Sequence, residues 1–131
     1  MANTAQLDVL LLGTQNADGT ITRVTAAQTS QAINLKTYPL ASICVDVDGG
    51  TISSGTLLIE QAWWDPLKGH QPYSGLWSLV QTLALSTLSG TAQQQLFNIG
   101  AIANTWTRVR LSVAIGGGGK AFVSLVAEGN S

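Results

Sequence analysis

Charged residues are scarce in this sequence. Asp, Glu, Lys and Arg make up 10% of its 131 residues, against about 25% in an average soluble protein. Six Lys and Arg residues are balanced by seven Asp and Glu residues, and no basic run occurs, so nucleic-acid binding driven by counterion release is not expected. A net charge of −1 gives little self-repulsion, which favours close association with like or unlike subunits. A monomer that is simply poor in charge is the alternative.

Cysteine and long apolar runs are also scarce. Cys44 is the only cysteine, so neither an intrachain disulfide nor a cysteine metal cluster is expected, which fits synthesis in a reducing cytoplasm. The apolar runs fall far short of the roughly 18 to 20 residues that span a bilayer, and Met1 to Thr4 lack the features of a signal peptide. We therefore expect no membrane partner, a cytosol-like compartment of synthesis, and one domain over residues 1–131.

Alternation of apolar and polar residues with a period of two is the main structural signal. Between Ser42 and Asp48 every second residue is Ile or Val. A second alternating run extends from Trp106 to Ile115, with Val, Leu, Val and Ile at every second position from 109 onward. Similar short runs, bounded by turn residues, recur about every 8 to 15 residues without a convincing amphipathic helix. The sequence therefore predicts an all-β fold, an antiparallel β-sandwich of jelly-roll-like form with about eight or nine strands. A β-barrel is the nearest alternative.

Two glycine-containing segments predict hairpins. Asp18 and Gly19 lie between the apolar runs Leu7 to Leu12 and Thr20 to Ala26, and an Asp-Gly pair supplies the positive φ angles of a tight turn. Further on, Gly116 to Gly119 separate the strand that ends at residue 115 from the last apolar run. Four glycines suit any hairpin geometry, so we expect these two strands to pair antiparallel.

One acidic segment invites a calcium interpretation. Asp46 to Gly50 reads DVDGG, and carboxylates at alternate positions before a glycine begin many calcium loops. An EF-hand would need Gly at the position of Thr51 and a bidentate Glu at the position of Leu57. The pattern therefore favours a solvated strand end, and we expect no metal site.

Candidate catalytic residues do not form a recognisable site. Asp65, His70 and Ser74 are the residue types of a nucleophilic triad, but the loop around them is broken by Pro and Gly, and no Gly-x-Ser-x-Gly elbow occurs. Glu60 and Asp65 lack the signs of a glycosidase pair. The glycines at 116–119 precede a strand rather than a helix, which excludes a phosphate loop. We expect neither enzymatic activity nor a cofactor.

Aromatic residues concentrate between Gly55 and Leu85, a segment that holds three of the four tryptophans. Trp63 and Trp64 are adjacent in a predicted strand, so they must point to opposite faces, and at most one can enter the main core. The other is either covered by a loop or offered to a partner.

Two further tryptophans lie in other predicted strands. Trp77 alternates with two leucines, which favours a core position, whereas Trp106 shares a face with Arg108 and Arg110, where a guanidinium can stack on the indole. Trp, Tyr and Arg dominate protein interfaces, although these aromatics would also serve to close the end of a sandwich. The candidate residues for a protein interface are Trp63, Trp64, Tyr73, Trp77 and Trp106.

Three stretches carry a resemblance to known proteins. Gly55 to Glu60 (GTLLIE), Trp77 to Val80 (WSLV) and Thr105 to Leu111 (TWTRVRL) together resemble a pattern in small β-sandwich proteins of tailed-bacteriophage virions, including head decoration or cement proteins. The pattern is also similar to that of galactose-binding-like sandwiches. The sequence departs from the sugar-binding version in having an eleven-residue segment, Pro66 to Leu76, where a tight Asp-Gly turn is usual.

The resemblance implies a structural role. A decoration protein would bind the outer surface of a phage head and stabilise the lattice of the major capsid protein. Its partners would be the major capsid protein and copies of itself, and it would be made in the host cytoplasm and end on the virion. A carbohydrate-binding module, or another virion component such as a tail or baseplate protein, is the alternative.

Overall fold

The computed structural model describes residues 5–35, 38, 40–49, 51–63, 77–88, 93–99 and 105–129. Strands dominate these residues, and a short 3-10 helix, Leu85–Leu88, follows β8. No helical segment of the described chain has the length and hydropathy that crossing a bilayer requires. The strands are β1 (Ala5–Leu12), β2 (Thr14–Gln15), β3 (Ile21–Thr22), β4 (Gln28–Thr29), β5 (Ile33–Asn34), β6 (Leu40–Asp48), β7 (Ser54–Trp63), β8 (Ser78–Ala84), β9 (Gln93–Ile99), β10 (Thr105–Gly116) and β11 (Lys120–Gly129).

The strands form two antiparallel sheets and a small ribbon. Sheet 1 has the order β1-β11-β6-β9, sheet 2 has the order β4-β10-β7-β8 with β5 also paired to β10, and β2 and β3 form the ribbon. β4 and β5 act as one interrupted strand, because the Ser30 N–H donates to the Val109 carbonyl (2.9 Å) and the Val109 N–H donates to the Ser30 hydroxyl (3.0 Å). If β4 and β5 are counted as one strand and the ribbon is left out, eight main strands remain. Numbered 1 to 8 along the chain, they follow the order 1-8-3-6 in sheet 1 and 2-7-4-5 in sheet 2. This is the double Greek key of a jelly roll, and it confirms the predicted fold class.

The core lies between the two sheets and follows the period-two pattern. Residues such as Ile43 on β6, Val109 on β10 and Leu125 on β11 are fully buried, and burial of each such side chain contributes about 1.5 to 3 kcal/mol. One polar pair lies among them, because the Gln61 side-chain amide donates to the Thr107 hydroxyl (3.1 Å). Both residues are buried, so this hydrogen bond satisfies groups that would otherwise destabilise the core.

The prediction that the strands on either side of Gly116 to Gly119 pair with each other is wrong. β10 lies in sheet 2, whereas β11 lies between β1 and β6 in sheet 1. The connection therefore crosses from one layer to the other, with Gly117 and Gly118 at φ angles of 86° and 93°. Alternation did not distinguish the two arrangements, because a strand has one apolar face whether its neighbour lies beside it or across the core.

The Asp18-Gly19 turn forms, but it joins only the two short strands of the ribbon. Gly19 has a φ of 88°, and its N–H donates to the Asn16 carbonyl (3.0 Å). The hydroxyl and N–H of Thr20 donate to the Asp18 carboxylate (2.6 and 3.0 Å), and these hydrogen bonds, that of the hydroxyl first, lower the Asp18 pKa. The longer runs on either side do not pair with each other, because β1 pairs with β11.

Candidate protein interface

The outward side of sheet 2 carries an ionic and aromatic cluster, which we call the outer-face cluster: Glu60, Trp77, Arg108 and Arg110. The register of β7 and β10 places Glu60 directly opposite Arg108, and Arg110 follows two residues later on the same face. Arg108 Nε lies 3.0 Å from Glu60 Oε1, and Arg110 Nη2 lies 3.3 Å from Glu60 Oε2. One carboxylate thus accepts hydrogen bonds from two guanidinium groups.

The Glu60 carboxylate is shielded although it points away from the core. Only 8% of its side chain is exposed, compared with 41% for Arg110. Burial opposes its ionisation, but the hydrogen bonds from Arg110 and Arg108 outweigh burial and hold the pKa of Glu60 below its ordinary value. A carboxyl with a lowered pKa is ionised near neutral pH and is poorly suited to act as a general acid.

Trp77 belongs to this cluster and not to the main core. The Arg108 guanidinium lies over its ring, 4.1 Å from the centroid, and the tryptophan is partly exposed. Leu79, on the same face of the next strand, is 58% exposed. The core position favoured by alternation is therefore wrong, because the register of β8 shifts at Val80. Leu83 lies opposite Leu57 on the buried side, whereas Leu79 lies opposite Glu60 on the outward side that Trp77 shares.

Trp106 lies on the same outward face, beside the cluster. It is opposite Ala62 of β7 and Asn34 of β5, and it is partly buried. Its indole Nε1 is shielded from solvent and has no hydrogen-bond partner among the described residues. The guanidinium stacking expected for this strand takes place between Arg108 and Trp77.

The remaining interface candidates fall at or beyond the edge of the described structure. Trp63 ends β7, where it is opposite Thr105, but its side chain is not described. Trp64 and Tyr73 lie outside the described residues, as do Asp65, His70 and Ser74. The structure therefore brings Trp77 and Trp106 to one face, and the contact role of all five aromatics stays a prediction.

The sequence did not indicate the ionic part of the cluster. The residue pattern presents Glu60 as a candidate catalytic acid and does not identify its two arginine partners. A signal was available, because a carboxylate within the apolar run from Leu57 to Trp64 requires a compensating charge. Arg108 and Arg110, at alternate positions of one strand, are the residues that supply it.

The acidic end of β6 holds an arginine. The solvated carboxylate that the pattern favours is found at Asp48, which is 53% exposed, whereas Asp46 is only 14% exposed. Arg23 Nη2 lies 2.6 Å from Asp46 Oδ1, and its Nη1 lies 3.9 Å from Asp48 Oδ2. The same guanidinium lies over the Phe122 ring, 5.0 Å from the centroid. Within the described residues no group of His, Cys, Asp and Glu has the arrangement of a metal site. The Arg23 contacts attach the chain that follows the ribbon to the outward side of sheet 1.

A shallow groove lies between the ribbon and the outward side of sheet 1. Its volume is about 240 Å³, and its lining includes Asp8, Leu10, Ile21, Phe122 and Ser124. Small-molecule sites usually measure about 300 to 1,000 Å³ and have several convergent polar groups. The outer-face cluster is therefore the stronger candidate for a functional surface.

No protein-family model and no curated protein sequence matches the chain. Its fold is similar to that of the SPBc2 prophage-derived protein YomS (TM-score 0.52, 9% identity, covering 98% of this chain and 96% of that one). It is also similar to the C-terminal CBM6 of LamC from Zobellia galactanivorans (TM-score 0.50, 12% identity, 94% and 98% covered). A chain of the T13 particle of infectious bursal disease virus matches with a TM-score of 0.47 at 15% identity (97% and 31% covered). At these identities the likeness to YomS and to the CBM6 shows a shared β-sandwich fold.

Proposed function

We propose that the chain is a structural protein of a bacteriophage virion, a decoration or cement protein that binds the outer surface of the head and stabilises the lattice of the major capsid protein. The observation that carries this proposal is the outward side of sheet 2, where Trp77, Trp106 and Leu79 lie beside the paired arginines of the outer-face cluster. The prophage origin of YomS, which has this fold, is consistent with a phage source.

The physical character of this surface suits binding to a protein lattice. Tryptophan and arginine are the residues that most often supply the binding energy of interfaces, and Arg110 keeps 41% of its side chain exposed. The low total charge of the chain reduces repulsion between neighbouring copies. On a capsid the same contact is repeated many times, so a modest affinity for each site still adds up to a stabilised shell.

The proposal assigns a mechanical role, without catalysis or a cofactor. Glu60 supports this assignment, since its ionised carboxylate is fully used in holding Arg108 and Arg110 in place. Because one carboxylate holds both guanidinium groups, fewer side-chain rotamers have to be fixed when a partner binds, which lowers the entropy cost of binding.

Binding to phage heads tests the proposal. Heads of the phage whose genome carries the gene, prepared without this protein, are mixed with purified wild type and with Trp77→Ala and Trp106→Ala, and occupancy is measured by sedimentation. We expect each variant to weaken binding at least about tenfold, since contact tryptophans typically cost more than 1 to 2 kcal/mol when truncated. Phe122→Ala is the matched control, because Phe122 also carries a stacked arginine but lies on sheet 1. Unchanged occupancy in both tryptophan variants, or no binding of the wild type, would overturn the proposal.

A carbohydrate-binding module is the second candidate. It is favoured by two partly exposed tryptophans on one face and by the fold shared with a CBM6. The guanidinium over the Trp77 ring counts against it, since that ring face is no longer free to stack on a sugar. Specific retardation in polysaccharide affinity gels, without binding to heads, would favour this alternative, whereas binding to tails or baseplates instead of heads would assign a different virion position.

A further inference from the structure

The two side edges of the sandwich differ in how they are protected. One side is formed by β1 of sheet 1 and by β4 and β5 of sheet 2, and the other by β9 and β8. The 3-10 helix that follows β8 contacts both β7 and β9, which joins the two sheets along that second side. An edge strand presents unpaired N–H and C=O groups, so proteins usually block it with charge, proline, bulges or shortness.

The first side carries these protective features. β1 contains Asp8, and its register with β11 shifts between Leu10 and Leu12. β4 and β5 have two residues each, and residues 30–32 separate them. A strand from another molecule that pairs on this side meets the Asp8 carboxylate on β1 or the interrupted edge of β4 and β5.

The two strands of the second side contain neither a charged residue nor a proline. β8 reads SLVQTLA and β9 reads QQQLFNI, so each has seven residues without Lys, Arg, Asp, Glu or Pro. Among the described residues β8 pairs only with β7, and its register shifts once, next to Val80. All of its residues except Leu83 are exposed, including Leu79 at 58% and Val80 at 45%.

We propose that β8 is a self-association edge, which pairs antiparallel with β8 of a second copy about a two-fold axis and joins two five-stranded sheets. A strand without charge meets its own copy without repulsion, and a two-fold contact uses the same patch on both partners. Pairing would cover Val80, which is 45% exposed, and satisfy the backbone groups of the open edge. The inference rests on the proposed function only in taking a capsid lattice as the place where two copies meet.

Oligomeric state in solution tests this edge without any capsid. We expect the wild type to have twice its chain mass of 13.7 kDa by light scattering after size exclusion. Thr82→Lys places like charges near each other across the pair, and it should raise the dimer dissociation constant at least about tenfold. Gln28→Lys is the control, since it adds the same charge at an exposed position of β4, on the opposite edge of sheet 2, where it is opposite Leu111 and not Arg110. Thermal unfolding of both variants verifies that they fold.

Cross-linking tests the two-fold geometry directly. In a Cys44→Ser background, single cysteines are placed in turn at positions 79 to 84, and the disulfide-linked dimer is quantified after mild oxidation. A disulfide needs Cα atoms about 4.4 to 6.8 Å apart, so only the position at the axis should link efficiently to its own copy. The proposal would be overturned if the wild type stays monomeric at high concentration. It would also be overturned if Thr82→Lys leaves the dimer intact and none of the cysteines in β8 forms a disulfide-linked dimer. Loss of head binding with an intact dimer would count against the proposed function alone.

Discussion

Glu60 shows how one carboxylate organises the outward side of a sheet. Its position opposite Arg108, with Arg110 two residues further on, follows from the antiparallel register of β7 and β10. An unpaired carboxylate with 8% of its side chain exposed would be costly. Two guanidinium groups remove that cost, and Trp77 covers one of them. Arg108 and Arg110 of the proposed contact surface are therefore held in place by a charge that is itself largely shielded from solvent.

Glu60→Gln should destabilise the fold in a pH-dependent way. Because the Glu60 pKa is lower in the folded than in the unfolded chain, the folded state binds fewer protons in the window between the two values. Its contribution is therefore fully present above the ordinary value of 4.5 and is lost as the pH falls through the lower folded value. We expect the variant to lose about 1 to 3 kcal/mol of unfolding free energy at pH 7, and the difference from wild type to shrink below about pH 4. Urea denaturation between pH 3 and 7 measures both.

Glu128→Gln is the control for this pH profile. Glu128 is an exposed carboxylate near the end of β11, so its substitution makes the same change in charge without removing the arginine contacts. We expect a cost within about 0.5 kcal/mol, as for most surface substitutions. Parallel stability curves for wild type and Glu60→Gln across the acid range would show that the two arginine hydrogen bonds do not lower the Glu60 pKa.

At the scale of elements, the connection between β10 and β11 decides the topology. It passes from sheet 2 to sheet 1, and the Val24 N–H donates to the Ala121 carbonyl (2.8 Å) while the Ile115 N–H donates to the Thr25 carbonyl (2.8 Å). Residues 24 and 25 are thus hydrogen-bonded to β11 of sheet 1 and to β10 of sheet 2. This closes the end of the sandwich at the glycine connection.

Two alanine substitutions in this connection should differ in their cost. Gly117 and Gly118 both have positive φ angles, so each alanine stores about 1 to 2 kcal/mol of backbone strain. A Cβ at Gly117 would also lie 2.6 Å from the Thr51 carbonyl oxygen and 2.9 Å from the Ser53 nitrogen, whereas a Cβ at Gly118 meets no atom within 4 Å. Gly117→Ala should therefore cost at least about 1 kcal/mol more than Gly118→Ala. Urea midpoints measure this, and equal midpoints would mean that the connection shifts to relieve the contact.

The sequence predicted strands better than their partners. The alternation of Ser42 to Asp48 identified the buried face of β6 correctly, since Ile43, Val45 and Val47 are all buried. Alternation depends only on burial of one face, and so it carried no information on whether β11 lies beside β10 or across the core from it. Trp77 alternates with Leu83 along the sequence, but the register shift at Val80 places the two on opposite sides of sheet 2, and a local pattern does not show such a shift. The Gln61–Thr107 hydrogen bond likewise depends on cross-strand register, which no local pattern encodes.

At the scale of the whole molecule, charge is distributed unevenly over the surfaces. β1 contains Asp8, the outward face of sheet 2 has Arg108 and Arg110, and the strands β8 and β9 contain no charged residue. The described structure thus offers two separate surfaces, a face with guanidinium groups and an edge whose strands are uncharged. A protein that contacts both a lattice and its own copies needs such a separation, because one surface then stays free while the other is occupied.

The two surfaces should respond differently to salt. Pairing through β8 involves no charged side chain, so we expect the dimer dissociation constant to change less than about threefold between 50 and 500 mM NaCl, although the Debye length falls severalfold. Sodium sulfate should strengthen the dimer, because it favours apolar burial. Binding to heads through Arg108 and Arg110 should weaken over the same range, since long-range attraction to acidic groups is screened. Analytical ultracentrifugation and sedimentation with heads measure the two responses. If added NaCl raises the dimer dissociation constant tenfold or more, self-association uses the arginine face instead of the β8 edge.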